Sequence, residues 1–586
     1  MSGTLSITEA TAQMTAPGQI FETDRAEVNG VAMSVWKHAP ASLRQVLDLS
    51  LTHESRDFLV YEGRRWTFDA HYRAAATFAT RLVERGVAKG DRVAIVARNL
   101  PEWVIAFWGT VAVGAIAVPL NAWWTGDELT YGLVDSATRV AVVDEERWER
   151  LRPHLDELRD LAHVVVMADE PGRTARLGRA VDRVTLTDFH DLLGSVAPDA
   201  TPPDVALEPD DDATIFYTSG TTGHPKGAVG THRNAITNMM NMFFIGQRAT
   251  LRFATGNVDD EGVSFPNSFL LNVPLFHATG CLAVMVVNLA AGGKLVMTHH
   301  FDAGQALELI ANERVTSFGG VPTIAMQVLD HPDFATFDTS SVRSVSYGGA
   351  PAPPDLVRRI RAAFPAAQPG NGYGLTETSA GIALNTGPDY VERPTSCGPP
   401  VPVCEVAVVP EGYEGPEPAP DRPRGPDVVG ELWIKGPSVV KGYWHKPEAT
   451  AQAFTRGWLH TGDIARVDGE GFIYIIDRAK DVIIRGGENV YSVMVEAAIF
   501  EHPDVADCAV VGLPHPILGE EVAAVVVLRP GRTIEAEEIA RHVAERLARY
   551  EVPTRLYFRS EPLPRNPQGK VLKRELRASI LESATP

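Results

Sequence analysis

The densest chemistry in the chain lies in the string Thr214-Ile-Phe-Tyr-Thr218-Ser219-Gly220-Thr221-Thr222-Gly223-His224-Pro225-Lys226-Gly227. An apolar strand feeds into six small or hydroxylated residues, and one lysine follows closely. Small residues let backbone N–H groups close on an anion, hydroxyls add donors, and the lysine adds charge. That is a phosphate cradle. Its spacing is not the Walker form, G-x-x-x-x-G-K-[ST], because Pro225 precedes the lysine and Gly227 follows it. A mobile Gly/Thr turn is the plainer alternative for such a composition. The chain holds ten lysines against 44 arginines, so it chooses arginine for most of its positive charge. Six of the ten (Lys226, Lys435, Lys441, Lys480, Lys570 and Lys573) fall in or beside the strings discussed below. Lysine supplies the compact point charge that arginine does not.

The elements that must carry this loop are legible in the hydrophobic pattern. From Phe58 onward, short apolar strands such as residues 92–96, 140–143 and 164–166 alternate with helical stretches, which predicts parallel sheets covered by helices. Residues 103–120 run 18 positions without a charge, long enough to raise a membrane span. Asn99 and Pro101 mark a helix start and Gly109, Gly114 and Pro119 interrupt the run, so a buried helix followed by a strand over 115–120 is expected instead. Thr125-Gly-Asp-Glu128 has the form of a capping box and predicts a further helix. The first forty residues are polar and weakly patterned and read as a surface extension. Residues 169–212 read as a loop, with Asp210-Asp211-Asp212 a solvated turn. The segment 410–426 holds six prolines and reads as an exposed loop. Short turn-bounded strands at 430–434 and 471–477 suggest a small β-rich lobe. Beyond Asp481, strands near 506–511 and 522–528 precede a helix with Ile539, Val543, Leu547 and Tyr550 on one face, ended by Pro553.

Composition excludes several classes. With 586 residues the chain is long enough for three or four units of ordinary domain size. Hydrophobic residues make up 45% and charged residues 22%, the balance of a globular protein. The net charge of −20 argues against non-specific nucleic-acid binding, which needs a basic face. Four scattered cysteines signal neither a disulfide framework nor a zinc site, and fit a reducing cytoplasm. The start lacks a secretory pattern and the end, SATP, is no lipidation or peroxisomal address. No integral membrane span is expected.

Nine strings, in order, resemble the acyl-adenylate-forming superfamily: acyl-CoA synthetases, non-ribosomal peptide adenylation domains and beetle luciferases. They are residues 217–227; Pro274-Leu-Phe-His277; Tyr347-Gly-Gly-Ala-Pro351; Gly372-Tyr-Gly-Leu-Thr376-Glu377-Thr378; Gly430-Glu-Leu; Gly457-Trp-Leu-His-Thr-Gly-Asp463; Asp477-Arg478-Ala-Lys480-Asp481; Gly486-Gly-Glu-Asn489; and Asn566-Pro-Gln-Gly569-Lys570. The resemblance implies an α/β fold with a large N-terminal domain of two α/β lobes plus a β-barrel lobe, followed by a small mobile α+β C-terminal domain. It places an extension at 1–40, the adenylation domain at 41–479 with its β-rich lobe at about 395–476, and the mobile domain at 480–586. It implies ATP, Mg2+ and coenzyme A: a carboxylate attacks the α-phosphate to give acyl-AMP and pyrophosphate, and a thiol then displaces AMP.

The same resemblance assigns residues. Lys570 is the adenylation lysine, Thr376 touches the α-phosphate and Glu377 is the magnesium ligand. Thr218, Ser219, Gly220, Thr221, Thr222, Gly223 and Lys226 hold the distal phosphates. Asp463 and Arg478 hold the ribose; Tyr373 stacks on adenine, with Gly348, Gly349 and Ala350 giving close backbone approach beside Gly374. Lys480 is the hinge, and Gly486 and Gly487 line the coenzyme A tunnel once the tail domain has turned. The run Tyr491-Ser-Val-Met494-Val-Glu496 departs from a frequent family pattern, having Ser492 and Met494 where Pro and Glu are common.

His277, Gly320 and Gly374 are expected in the acyl pocket. His277 stands where amino-acid-activating relatives carry an aspartate, which disfavours an α-amino acid. Gly374 stands where acetate-specific relatives carry tryptophan, which opens the floor to a longer acid. The uncharged walls at 318–323 and 347–351 favour an apolar acid, and a medium- or long-chain fatty acid is the expectation. The alternatives are an aryl or alicyclic acid–CoA ligase, an acyl-AMP ligase that loads a carrier-protein thiol, and a non-catalytic ligand sensor. The partners expected are small molecules; the sequence is also compatible with a homodimer. His299-His300 reads as a strand-end turn rather than a metal site, and Trp123-Trp124 as packing at a helix start.

Overall fold

Strands that are apolar at every position need cover on both faces, and helices between them supply it. In the computed structural model, which describes residues 4–167, 183–218, 224–253, 266–349, 355–410, 413, 415–419, 428–566 and 570–583, Ile116–Pro119 and Val140–Asp144 are buried throughout. They belong to a seven-stranded sheet ordered Lys226–Thr231, Asp212–Thr218, Ile116–Pro119, Arg92–Val96, Val140–Asp144, His163–Met167, Thr185–Asp188. All of its neighbours pair in parallel except the first two strands.

A second, eight-stranded sheet runs Ala380–Thr386, Gln368–Leu375, Ser344–Gly348, Ser317–Gly320, Ser268–Leu271, Lys294–Met297, Asp57–Tyr61, Arg64–Thr67, antiparallel only at its two ends. One apolar core joins the two sheets, with the helix Pro101–Ala112 buried along its whole length inside it. The uncharged run 103–120 is therefore this helix and the strand after it, as expected. Among the described residues no helix is long and apolar enough to cross a membrane. Thr125 and Glu128 close the expected capping box and start the helix Gly126–Asp135.

The third lobe is an antiparallel five-stranded sheet over Glu405–Val409, Gly430–Lys435, Trp458–Val467, Phe454–Thr455 and Ile473–Arg478. The C-terminal unit is a second five-stranded sheet carrying the helices Ser492–Phe500, Ala536–Ala544 and Lys573–Ser583, with a core of its own.

Three expectations are corrected. The first forty residues are not a bare extension. They form the helix Ile7–Met14 and a hairpin, Thr23–Val28 with Val31–Trp36, that plant Phe21 and Trp36 against Phe244 in the main core. Trp36 Nε1 donates to Asn241 Oδ1 at 3.0 Å. The signals were local: Ser6 and Glu9 make a capping box, and Asn29-Gly30, both left-handed, make the tight turn. Secondly, the stretch 169–212 holds the edge strand Thr185–Asp188 and the helix Phe189–Leu193, capped by Asp188 and anchored by Phe189 stacked on Phe78. Thirdly, the late helix stops at Ala544. Ile539 and Val543 are buried as expected, but Tyr550 lies in a turn and is exposed. Asp210 and Asp211 form a turn and Asp212 opens the next strand, and each carboxylate meets a cation: Arg233, Lys89 and Lys441. Much of the proline-rich loop 410–426 lies outside the described residues.

Candidate active site

Parallel strands present their carboxyl ends to ligands. Here the neighbouring strands Ser317–Gly320, Ser344–Gly348 and Gln368–Leu375 end side by side at one edge. A cavity of about 1210 Å3 opens along that edge, facing the seven-stranded sheet and roofed by the C-terminal unit. Of the expected site residues, Thr218, Lys226, His277, Gly320, Gly348, Gly349, Tyr373, Gly374, Thr376, Glu377, Arg478, Lys480 and Lys570 all line it. Ser219, Gly220, Thr221, Thr222, Gly223 and Ala350 lie outside the described residues.

One wall is built by a hairpin. Thr218 ends one strand and Lys226 begins its antiparallel return, the two facing each other in register. The segment after Pro437 adds itself to that edge, with a bridge between Ala228 and Tyr443. This puts the Tyr443 ring 5.0 Å from Lys226 Nζ, while its hydroxyl donates to Glu377 Oε1 at 2.8 Å. Tyr443 therefore links the phosphate-loop lysine to the carboxylate. Sequence reasoning missed it; its only signal is an aromatic in the loop string Lys441-Gly-Tyr443-Trp444.

Glu377 sits in a single turn, Thr376–Thr378, held from below by Thr378: its Oγ1 accepts from Leu375 N–H and donates to a nearby backbone carbonyl. The next two residues, Ser379 and Ala380, have φ of 54° and 91°, a costly conformation for residues with a side chain. Gly374 repays a closer look. A Cβ built on it would lie 1.7 Å from the Ala380 carbonyl oxygen, so the strand contact at this bulge, as it stands in this structure, leaves no room for a side chain. Gly374 also stands in the cavity lining, so one glycine serves both the strand contact and the open space.

A second carboxylate is clasped rather than open. Asp463 faces Arg478 across paired strands; Arg478 Nε lies 2.7 Å from one oxygen and the Tyr373 hydroxyl donates to the other at 2.7 Å. Burial pushes the Asp463 carboxyl up, with Arg478 and Tyr373 pulling against it. Burial and the facing Asp463 push the Tyr373 phenol well above its usual range.

Lys570 comes from the other side. Its loop is pinned by Asn566, whose side chain accepts from Lys570 N–H at 2.9 Å, and by Arg565 paired with Asp507. The side chain reaches Gly349, at which a built Cβ would lie 3.9 Å from Lys570 Cε. Burial first and Arg478 second push its pKa down to about 8, against the pull of Asp463. Lys480 follows Arg478 in a short turn, Ala479–Asp481, at the junction with the C-terminal unit. Gly486 and Gly487 form a left-handed hairpin turn and are not brought to the cavity in this pose.

At the far end His277 precedes a run of π-helix, Thr279–Val286, a form common at functional sites. Burial first and Lys570 second hold the imidazole at about 3, so it is neutral. Phe269, Val273, Val284 and Ile324 are among the cavity's lining residues, together with the polar Asn272, Thr279 and Gln327.

Comparison with known proteins fits this geometry. The family model described as AMP-binding enzyme matches residues 50–444, and the one described as AMP-binding enzyme C-terminal domain matches 494–570. The chain belongs to the AMP-binding enzyme family. Within it the chain stands in the acyl-CoA synthetase branch, whose members are AMP-forming acid–CoA ligases. A feruloyl-CoA synthase of Amycolatopsis sp is 36% identical over 88% of this chain and 94% of its own length. The long-chain-fatty-acid–CoA ligase FadD13 of Mycobacterium tuberculosis is 35% identical over 88% and 93%. Among solved structures, an anthranilate CoA ligase, AuaEII, in complex with anthranoyl-AMP is similar with a TM-score of 0.80 at 26% identity, covering 93% of this chain and 98% of that one.

Proposed function

We propose that this enzyme is an ATP- and Mg2+-dependent acyl-CoA synthetase for an apolar carboxylic acid, a medium- or long-chain fatty acid foremost. The observation that carries the reading is the entry of Lys570, from the tail unit, into the cavity that already holds Lys226, Glu377 and Arg478. A carboxylate oxygen attacks the α-phosphorus of ATP, the bond to the bridging oxygen breaks, and pyrophosphate leaves. Two anions repel, so the step needs cations aimed at the charge that develops. Lys570 supplies one at the α-phosphate, with Thr376 beside it as a hydroxyl donor. Lys226 and the hydroxylated loop before it hold the distal phosphates.

A bound Mg2+ would offset the negative charge of the phosphates as a Lewis acid. Glu377 suits it: a carboxylate is a hard donor, and Tyr443 takes up one of its two oxygens. Asp463 and Arg478 grip the ribose. The Asp463 oxygen now bonded to Tyr373 is the one a ribose hydroxyl would share or displace. The tail unit then turns about Lys480, withdrawing Lys570; a thiol sulfur attacks the acyl carbon, loses its proton, and AMP departs. Gly486 and Gly487 are carried round to line the coenzyme A tunnel.

The apolar lining residues Phe269, Val273, Val284 and Ile324 support an unsubstituted acyl chain, as does the likeness to a ligase named for long-chain fatty acids. An aromatic acid is the second reading, favoured by the 36% identity to a feruloyl-CoA synthase. Incubation with ATP, coenzyme A and a panel of acids decides. AMP, pyrophosphate and an acyl-CoA mass with fatty acids support the first reading; turnover confined to aromatic acids supports the second. Acyl-AMP that never passes to coenzyme A would point to a carrier-protein thiol, and no nucleotide cleavage at all would leave a ligand sensor.

A further inference from the structure

The departure at Ser492 has a structural counterpart. Ser492 is the first residue of the helix Ser492–Phe500 and is wholly buried. Its hydroxyl donates to Asp477 Oδ2 at 2.8 Å and accepts from Lys573 Nζ at 2.7 Å. The Val493 N–H reaches the same Asp477 oxygen at 3.4 Å. Lys573 Nζ also meets Glu496 Oε1 at 2.7 Å, and that oxygen accepts from Val510 N–H at 2.8 Å. The cluster is satisfied and buried: Asp477 is 2% exposed and Glu496 8%.

The cluster straddles the hinge. Asp477 lies in the strand Ile473–Arg478, three residues before Lys480, on the N-terminal side. Ser492, Glu496 and Lys573 lie beyond it, and Lys573 opens the last helix three residues after Lys570. Any rotation of the tail about Lys480 must pull Ser492 and Lys573 away from Asp477. Burial works against the Lys573 ammonium, yet the Glu496 and Asp477 carboxylates raise its pKa above the ordinary lysine value. Burial pushes both carboxyls up against that pull. A buried charge left without its partner is costly, so the contact favours the pose in which it is intact.

We propose that Ser492 and Lys573 are positioning residues for the adenylation step: by bridging to Asp477 across the hinge, they dock the tail unit so that Lys570 stands in the cavity. A proline at 492 would have no hydroxyl with which to make this bridge. The inference rests on the two-step reading above. It adds that the Ser492–Asp477 bridge weights the two poses towards the one that makes acyl-AMP.

The test compares Ser492→Ala with Ser492→Thr in the full chain. Proline is tolerated at the first position of a helix, so Ser492→Pro serves as a further variant that keeps the fold. Pyrophosphate release in a single turnover reports the first step; thioester formation from supplied acyl-AMP and coenzyme A reports the second. Ser492→Ala and Ser492→Pro should slow the first step about ten-fold, the worth of a hydrogen bond to a buried charge, and leave the second unchanged or faster. Ser492→Thr, which keeps the hydroxyl, should restore the first step.

Hydrogen exchange across residues 491–496 in the ligand-free protein gives a readout independent of chemistry. It should quicken in the alanine variant and return towards wild type with threonine. Equal loss in both half-reactions, or exchange that ignores the substitution, overturns the proposal. Wild-type protein that forms no acyl-AMP from any acid breaks the two-step reading itself, and this inference with it.

Discussion

The two ends of the cavity are built on opposite principles. At the nucleotide end, charged groups are already paired with one another: Asp463 between Tyr373 and Arg478, Glu377 with Tyr443, and Lys226 against the Tyr443 ring. At the proposed acyl end, a neutral histidine and the π-helix turn share the lining with Phe269, Val273, Val284 and Ile324, and the polar groups there, such as Asn272, carry no charge. A polyphosphate must be met by fixed dipoles and charges, which have to be satisfied while they wait. An alkyl or aryl chain asks only for shape and dryness. Under the proposed function, chemistry is fixed at one end and substrate choice is left to the other.

The sharpest way to break this contrast is to remove the charge the nucleotide end borrows from the tail. Lys570→Ala should slow acyl-AMP formation by about a hundred-fold or more, as loss of a directed electrostatic catalyst does, while sparing thioester formation from supplied acyl-AMP. Equal loss in both steps of a folded variant would contradict the assigned role.

The lysine also predicts a pH dependence. Its pKa in the ligand-free protein is pushed down from the ordinary lysine value to about 8, so the ammonium is present below that pH and is lost above it. The first half-reaction's kcat/KM should therefore fall as pH rises through about 8, and the decline should vanish in Lys570→Ala. A profile that rises through this range would assign the lysine the wrong charge state.

Asp463→Asn keeps the shape but removes the charge facing Arg478. It should cost about thirty-fold in kcat/KM for ATP, the scale of a charge-assisted hydrogen bond, with the KM for the acid little changed. Tyr443→Phe is milder. The ring stays beside Lys226 and only the bond to Glu377 goes, so about five-fold is expected in the first step, read as a raised Mg2+ requirement.

The smallest effect belongs to the acyl end. His277→Phe should change which acids are accepted while leaving the KM for ATP within about two-fold. Because the imidazole is neutral across the working range, the substitution should not move the pH profile. Should it alter ATP handling more than acid choice, the division between the two ends would be wrong.

What could be read from the sequence follows the same division. Asp463, Arg478, Glu377 and Lys570 stand out in the sequence through the family resemblance, and the structure brings Arg478, Glu377 and Lys570 to one cavity with Asp463 paired to Arg478. Tyr443 was not: an aromatic in a loop string looks like packing until its hydroxyl is seen on Glu377. Gly374 lines the cavity as expected, but the sequence does not show that the Ala380 carbonyl packs against the same glycine. The alternating sheets were read from buried, uninterrupted apolar strands. The N-terminal hairpin is harder to see because its first strand, Thr23–Val28, is mostly polar, although Asn29-Gly30 marks its turn and Phe21 and Trp36 anchor it. The late helix was read as too long because its apolar spacing continues to Leu547 and Tyr550 after the backbone has turned.

The central claim is that the acid's own oxygen attacks the α-phosphorus. It is tested most directly by giving the enzyme a fatty acid labelled with oxygen-18 in its carboxyl group, together with ATP and coenzyme A, and weighing the nucleotide product. Transfer of one labelled oxygen into AMP for each thioester formed is the predicted result. Label recovered in inorganic phosphate beside ADP, or unlabelled AMP accompanying thioester formation, would contradict it.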